Sequence, residues 1–299
     1  MITKNFELDK FILRTKTNPS DWVSLPQATD TSLKIINSDF FFSRYLFLRA
    51  AETRNAGELN QDYLGFRYDR QKYVFVLCDG VSQSFFGELA AKFLGNKILN
   101  WLWELSFEKV ESSDFYRMFN HYLNSQCGEA TQDVLNHPLP INIPSLLQDV
   151  LEQKRKNGSE TTFVCGRIDL PKGRDFDGFM RLSWMGDTRL RLWESSKRYL
   201  TELEGKFNTD QRWSSLKGLT NGEPQFYSAP FLKGGIPRFS LIEAYTDGFE
   251  LLDRFKRPAT NKEIRVLADK IQSLPTSDDI SYLGIRPNAF GLKKISDLD

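Results

Sequence analysis

The stretch YVFVLCDGVSQSFFGELAAKFL, Tyr73–Leu94, decides how this chain is read. Its first six residues are apolar and strand-like, and the run stops at Asp79-Gly80. From Gly87 onward Leu89, Ala90, Phe93, Leu94, Ile98 and Leu102 recur at helical spacing, so a helix covers about 87–105. A carboxylate at the end of a buried strand is unfavourable by on the order of several kcal/mol when it is unpaired. Asp79 is therefore solvated, paired with a base, or bound to a cation.

Working outward, residues 44–52, 62–68 and 72–78 read as strands, aromatic or β-branched and separated by turn-like NAGELN and DRQ. Helical patterns follow at 112–136, with a break at NHPLP, and at 144–156. Strand patterns return at 161–169, 179–186 and 188–193, in an order that suits consecutive antiparallel strands. Residues 203–235 are polar and Gly-rich and read as a long loop. A strand at 238–246, a short helix at 248–254, a helix at 260–273 and a final strand at 279–285 follow. Strands, then helices, then strands again is an α+β pattern rather than a βαβ alternation. Residues 1–40 have weak periodicity and read as an extension packed on, or trailing from, the rest.

Composition excludes several functions. A formal charge of +1, with no basic run or aromatic–basic stripe, gives no pull toward nucleic acid or anionic membrane. The N-terminal residues lack a continuous apolar core of the signal-peptide kind, and FFFSRYLFLRAA is interrupted by Arg44 and Arg49. A soluble, cytoplasmic protein is the expectation. Cys78, Cys127 and Cys165 are far apart and odd in number, and His121 and His137 are the only histidines, so neither a disulfide framework nor a thiolate or imidazole metal site is expected. A bound metal would be held by oxygen.

Oxygen ligands are what the sequence supplies. Asp62, Asp79, Asp247 and Asp278 each stand at the edge of an apolar strand, and Asp187 lies in LSWMGDTRLRLW. A single such residue is ordinarily a turn or cap aspartate. Two Asp-Gly pairs that each end a strand and open a helix suggest more. If the strand ends converge, repulsion among the carboxylates raises their pKa values or draws in a cation. Hard oxygen donors suit Mg2+ or Mn2+, and glycine lets its carbonyl approach an ion.

The order Asn60-Gln61-Asp62, Asp79-Gly80, Gly158-Ser159-Glu160-Thr161-Thr162, Gly186-Asp187-Thr188-Arg189, Asp247-Gly248 and Asp278-Asp279-Ile280-Ser281 resembles the type-2C, metal-dependent serine/threonine protein phosphatases (the PPM family), in their bacterial style. Each motif is weak alone; six in order over about 45–286 are not. The resemblance implies a four-layer αββα sandwich, two antiparallel sheets flanked by helices. It implies a phosphatase domain at 41–290, after the extension at 1–40 and before a tail at 291–299. It further implies that Asp79 bridges two ions, that the Gly80 carbonyl ligates one, that Asp62, Asp247 and Asp278 complete the site, and that Asp187 helps hold a third ion. The activity implied is hydrolysis of phosphoserine or phosphothreonine in proteins by a metal-activated water, opposing a kinase, with Asp79 and Asp62 in the catalytic centre.

The chain departs from the family pattern in places. The family's phosphate-gripping Arg, three residues before the Asn of the first motif, is replaced by Gly57. Arg54, three residues further back, is the catalytic substitute if the turn brings it in, and otherwise a solvated turn arginine. Val81 stands where eukaryotic members often carry a His to which protonation of the leaving group is ascribed. These losses point to the alternative of a pseudophosphatase, a regulatory or scaffold protein that keeps the fold.

Overall fold

Alternating apolar residues along the strands set which neighbour each sheet face meets. The computed structural model of the chain describes residues 21–106, 112–141, 143–171, 178–195, 198–199, 207, 210–233 and 236–287. Among them, one antiparallel sheet runs in the order β1 (Asp21–Ser24), β4 (Tyr63–Tyr68), β5 (Lys72–Gly80), β6 (Glu160–Asp169). The start of β6 pairs with β10 (Arg212–Ser214), which pairs with β11 (Gly218–Thr220). The remainder of β6 pairs with β7 (Phe179–Met185), and β7 with β12 (Gln225–Pro230). The second sheet has the order β2 (Thr31–Asn37), β3 (Phe41–Leu48), β16 (Ile280–Pro287), β15 (Leu241–Tyr245), β8 (Arg189–Ser195), β9 (Arg198–Tyr199). A small hairpin joins β13 (Leu232–Lys233) to β14 (Ile236–Pro237).

The sheets stack through their inner faces. Leu64, Phe66, Phe75, Leu77, Val164, Leu182 and Trp184 of the first meet Phe47, Leu190, Leu192, Ile242, Leu283 and Ile285 of the second. Each such side chain taken fully out of water contributes about 1.5–3 kcal/mol, so this seam dominates cohesion between the sheets. The outer face of the first sheet, with Val74, Val76, Cys78, Phe163 and Cys165, is covered by α2 (Gly87–Glu104), α3 (Ser112–Ser125) and α4 (Cys127–Asn136). The outer face of the second, with Leu46, Leu48, Tyr245 and Tyr282, packs on α6 (Asn261–Gln272) and a 3-10 turn at Asp247–Arg254. The result is the four-layer αββα sandwich. Under the second sheet a buried ion pair ties the layers together. Arg44 Nη2 lies 3.2 Å from Glu243 Oε1, and Arg44 Nη1 donates to Ala259 O (2.7 Å). Tyr282 Oη (2.8 Å) and Trp193 Nε1 (2.7 Å) donate to the same Glu243 carboxylate.

Several expectations change. Residues 21–37 supply an edge strand to each sheet, β1 on β4 and β2 on β3, so pairing begins before residue 41. Residues 1–20 and 288–299, half of the expected extension and the tail, lie outside the described residues. The strand expected over 44–52 ends at Leu48, and Ala51–Ala56 is a helix, α1, closed by Gly57 at φ 70°. Residues 188–193 do not extend the β6–β7 ladder. After Gly186 (φ 91°) the chain crosses to the other sheet as β8, because a residue with positive φ turns the strand out of line. The loop expected at 203–235 contains β10, β11, β12 and β13. Finally, α5 (Ser145–Asn157) buries none of its residues fully.

Candidate metal centre

Strand parity carries Asp62, Asp79 and Asp279 to the ends of the inner sheet faces. In β5 Phe75 and Leu77 face the other sheet, so Asp79, two further on, lies on that inner face where the strand runs out. Asp62 continues the inner parity of Leu64 and Phe66, and Asp279 that of Leu283 and Ile285. Asp247 follows β15 after the single residue Thr246 and opens the 3-10 turn. The apolar seam thus ends in a row of carboxylates.

Asp62 is the best buried of them, 1 % exposed. Its Oδ2 accepts from Ser281 Oγ (2.6 Å) and Thr246 Oγ1 (3.0 Å), and its N–H donates to Asn60 Oδ1 (2.7 Å). Asn60 is held by Leu48 O (3.1 Å). Asp279, also buried, accepts from Ala50 N and Gln61 N, both at 2.6 Å. Its own N–H donates to Asp278 Oδ1 (2.8 Å), while the rest of Asp278 is exposed. The first motif and the last are therefore pinned to each other by backbone amides. Thr246 and Ser281, which hold Asp62, were not singled out as site residues in the sequence. Ser281 lies in the last of the six motifs, whereas the only sequence signal for Thr246 is inner-face parity next to Asp247.

The electrostatics match this crowding. Burial, then the charges of Asp62, Asp247, Asp187 and Asp278, push Asp79 well above the usual carboxylate range. Burial, then Asp279, does the same to Asp62, against the lowering effect of Ser281. Asp247 is pushed up to about 6 by burial, Asp278 and Asp187, while a hydrogen bond with Asp79 opposes the rise. A hydrogen bond between two carboxyl groups requires a proton on one of them. Nearby, Glu88 at the start of α2 is pushed up to about 7 by burial, with Glu58 and Asp279 adding to it.

The backbone leaves room on the same side. A Cβ on Gly80 would stand 2.5 Å from Gln61 O and 2.5 Å from Gly87 C, and one on Gly248 would stand 2.0 Å from Asp279 O. Glycine at both Asp-Gly pairs is thus required by close backbone approach. Among the described residues no three Asp, Glu, His or Cys side chains already converge on one point. The donor set nonetheless fits a hard divalent cation. It is all oxygen, and the leading charges on Asp62, Asp79 and Asp247 are other carboxylates rather than a Lys or Arg. Asp187, half-buried after β7, belongs to this set through its charge on Asp79 and Asp247.

Arg54 does not join the aspartates. It is exposed on α1, and its Nη2 donates to Gln272 O (3.2 Å) at the end of α6. Gly57 is exposed at the end of α1, with open space around the position of its missing Cβ. Phe85 is fully buried. Phe86 is half-buried and adopts φ 43° at the start of α2, with its carbonyl accepting from Ser159 Oγ (2.8 Å).

No family model matches the chain, and no curated protein matches it in sequence. Among solved structures it is similar to the serine/threonine phosphatase Stp1 from Staphylococcus aureus, with TM-score 0.52 and 13 % identity over 82 % of this chain and 94 % of that one. It is similar to a phosphatase from Toxoplasma gondii, with TM-score 0.51 and 9 % identity over 87 % of this chain and 97 % of that one. A variant of a bacterial serine phosphatase gives TM-score 0.50 and 13 % identity over 84 % and 98 %. At these identities the likeness is one of fold. The sandwich is the fold of the PPM, or type-2C, serine/threonine phosphatases.

Proposed function

We propose that the chain is a metal-dependent phosphatase that hydrolyses phosphoserine and phosphothreonine in proteins and so opposes a serine/threonine kinase. The observation that carries this is the crowding of Asp62, Asp79 and Asp247, on which the charges that act first are those of other aspartates, Asp187, Asp278 and Asp279 among them. Two Mg2+ or Mn2+ ions bound there, with a third near Asp187, would supply charge for the phosphoryl oxygens and an acidified water as nucleophile. The chain's own part is position. Asp79, Asp247, Asp278 and the Gly80 carbonyl would hold the ions. Asp62, fixed by Ser281 and Thr246, would complete the oxygen donor set. Asp279 locks Gln61 and Ala50, so the first motif does not drift from the last. Such preorganisation is most of what phosphoryl transfer requires of a protein.

The test is hydrolysis of an aryl phosphate and of a phosphothreonine peptide with Mn2+, Mg2+ or EDTA, using Asp79→Asn alongside. Turnover that needs the metal and disappears with Asp79→Asn supports the reading. The second reading, a pseudophosphatase, is favoured by Gly57 and by the engagement of Arg54 with Gln272. Metal binding by calorimetry with no turnover on either substrate would select it.

A further inference from the structure

With Gly57 at the family's arginine position and Arg54 turned to α6, the acidic centre needs a cation from elsewhere to take a phosphate dianion. Two nearby bases are otherwise committed. Arg189 lies on the outer face of the second sheet, donating to Asp187 O and pairing with Asp253 at 3.5 Å. Lys154 of α5 donates to Ser82 O (3.1 Å). Arg212 is ion-paired as well, and differs in the sheet face on which it lies.

In β10, Trp213 pairs with Thr161, and Thr161 pairs with Gly80 of β5. One position back from Trp213, Arg212 falls in line with Thr162 and Asp79, which pair directly across β6 and β5. Trp213 is fully buried on the helix side, where it stacks on Phe93 and donates to Leu123 O (2.9 Å). Strand alternation therefore sends Arg212 to the opposite face, the one that carries Asp79. Two strand spacings separate the residues, on the order of 10 Å between Cα atoms, which an extended arginine and a bound phosphate span together.

A second contact places the segment. A Cβ on Gly186 would stand 2.9 Å from Gln211 O and 2.3 Å from the Thr162 methyl, so Gln211-Arg212 packs against the turn that bears Asp187. The guanidinium is neither free nor buried. Its Nη1 lies 3.2 Å from Glu160 Oε2, with side-chain exposures of 26 % and 21 %. Glu160 is tied to the loop beyond Asp79-Gly80, since Val81 N donates to Glu160 O (2.9 Å) and Glu160 N donates to Ser84 Oγ (3.0 Å).

We infer that Arg212, held at the mouth of the acidic site by Glu160, is the residue that binds the phosphate of the substrate. Its planar fork matches two phosphoryl oxygens, which a lysine ammonium does not. Glu160 is a positioning residue. It holds the guanidinium at the rim and away from the aspartates that the ions need. The inference rests on the phosphatase reading, because it assigns a part within that site.

Calorimetric titration of inorganic phosphate into the Mn2+-loaded protein, with KM and kcat for an aryl phosphate, tests it. Arg212→Ala should weaken phosphate binding and raise KM by about tenfold or more, the loss expected for a charge-assisted hydrogen-bond pair. Its Mn2+ affinity should stay at the wild-type value, which also shows that the variant folds. Arg212→Lys, which keeps charge and stem, should fall between, and provides the test if the alanine variant does not fold. Glu160→Gln should raise KM less than Arg212→Ala, and Arg54→Ala should leave phosphate affinity unchanged. Unaltered phosphate affinity in Arg212→Ala, loss in Arg54→Ala instead, or no phosphate binding by the wild type overturns the inference. Phosphate binding that depends on Arg212 without any turnover would uphold it and overturn the phosphatase reading. Turnover with an unchanged KM in Arg212→Ala would do the reverse.

Discussion

Asp247→Asn, studied without metal, should make the protein more stable at neutral and alkaline pH. The folded protein raises the Asp247 carboxyl from 3.8 to about 6. A raised acid binds its proton more tightly in the folded state. Its favourable contribution is therefore complete below pH 3.8 and is lost as pH climbs through about 6. At about 1.4 kcal/mol per tenfold in affinity, this shift corresponds to about 3 kcal/mol. Asp247 is partly open to solvent, which trims the effect to about 2 kcal/mol. Asparagine carries no charge at any of these pH values, so the variant avoids this loss. It also relieves Asp79, which shares a hydrogen bond with Asp247. Urea unfolding in EDTA at pH 5 and pH 8, followed by fluorescence of the six tryptophans, measures the difference. The wild type should lose more stability than the variant across that interval, leaving the variant ahead at pH 8 by about 2 kcal/mol. With Mn2+ at about a hundred times its dissociation constant the wild type gains about 2.7 kcal/mol and the order reverses. Equal pH dependence in the two proteins, or a variant weaker than wild type in EDTA at pH 8, would refute the claim that these carboxylates crowd one another.

Four further outcomes follow from the geometry. Glu243→Ala strands the fully buried Arg44 and the Tyr282 and Trp193 donors, and should destabilise by about 3–5 kcal/mol in chemical denaturation. Gly80→Ala sets a methyl against Gln61 O and Gly87, so it should lower Mn2+ affinity in calorimetry while circular dichroism stays native; affinity at the wild-type level would show that the close approach is not required. In α6, Thr260 and Glu263 form a capping box, and Thr260→Ala should be less stable by about 1 kcal/mol. Arg257 and the cap hold the Glu263 carboxyl down at about 2, so its stabilising contribution is present above 4.5 and lost as pH falls toward 2. Glu263→Gln should flatten that acid limb of the stability curve.

Much of the site could be read from local pattern. The alternation Tyr73, Phe75, Leu77, Asp79 places a carboxylate on the core face at a strand end, and the 87–105 periodicity yields α2, observed at Gly87–Glu104. Two Asp-Gly pairs marked the points where backbones approach too closely for a Cβ. Alternation and glycine are properties of a few consecutive residues, and a few residues suffice to show them.

Other features depend on partners far along the chain. The helix Ala51–Ala56 looked like the end of a strand, because its first amides are held by Asp279 and Ser277, more than 220 residues away. The crossing of β8 to the second sheet was hidden because strands buried on both faces show no period that names their neighbour. Arg54 and Arg212 are both arginines near turn-like sequence, and only the folded chain turns one to Gln272 and the other to Glu160 on the face of Asp79. The sequence by itself determined the α+β class, the acidic residues and the strand face on which each of the inner ones lies. Tertiary structure decided which strand ends meet, which hydroxyls hold Asp62 and which carboxylate or carbonyl each arginine engages. Those choices rest on hydrogen bonds and charges between segments that become neighbours only when both sheets close.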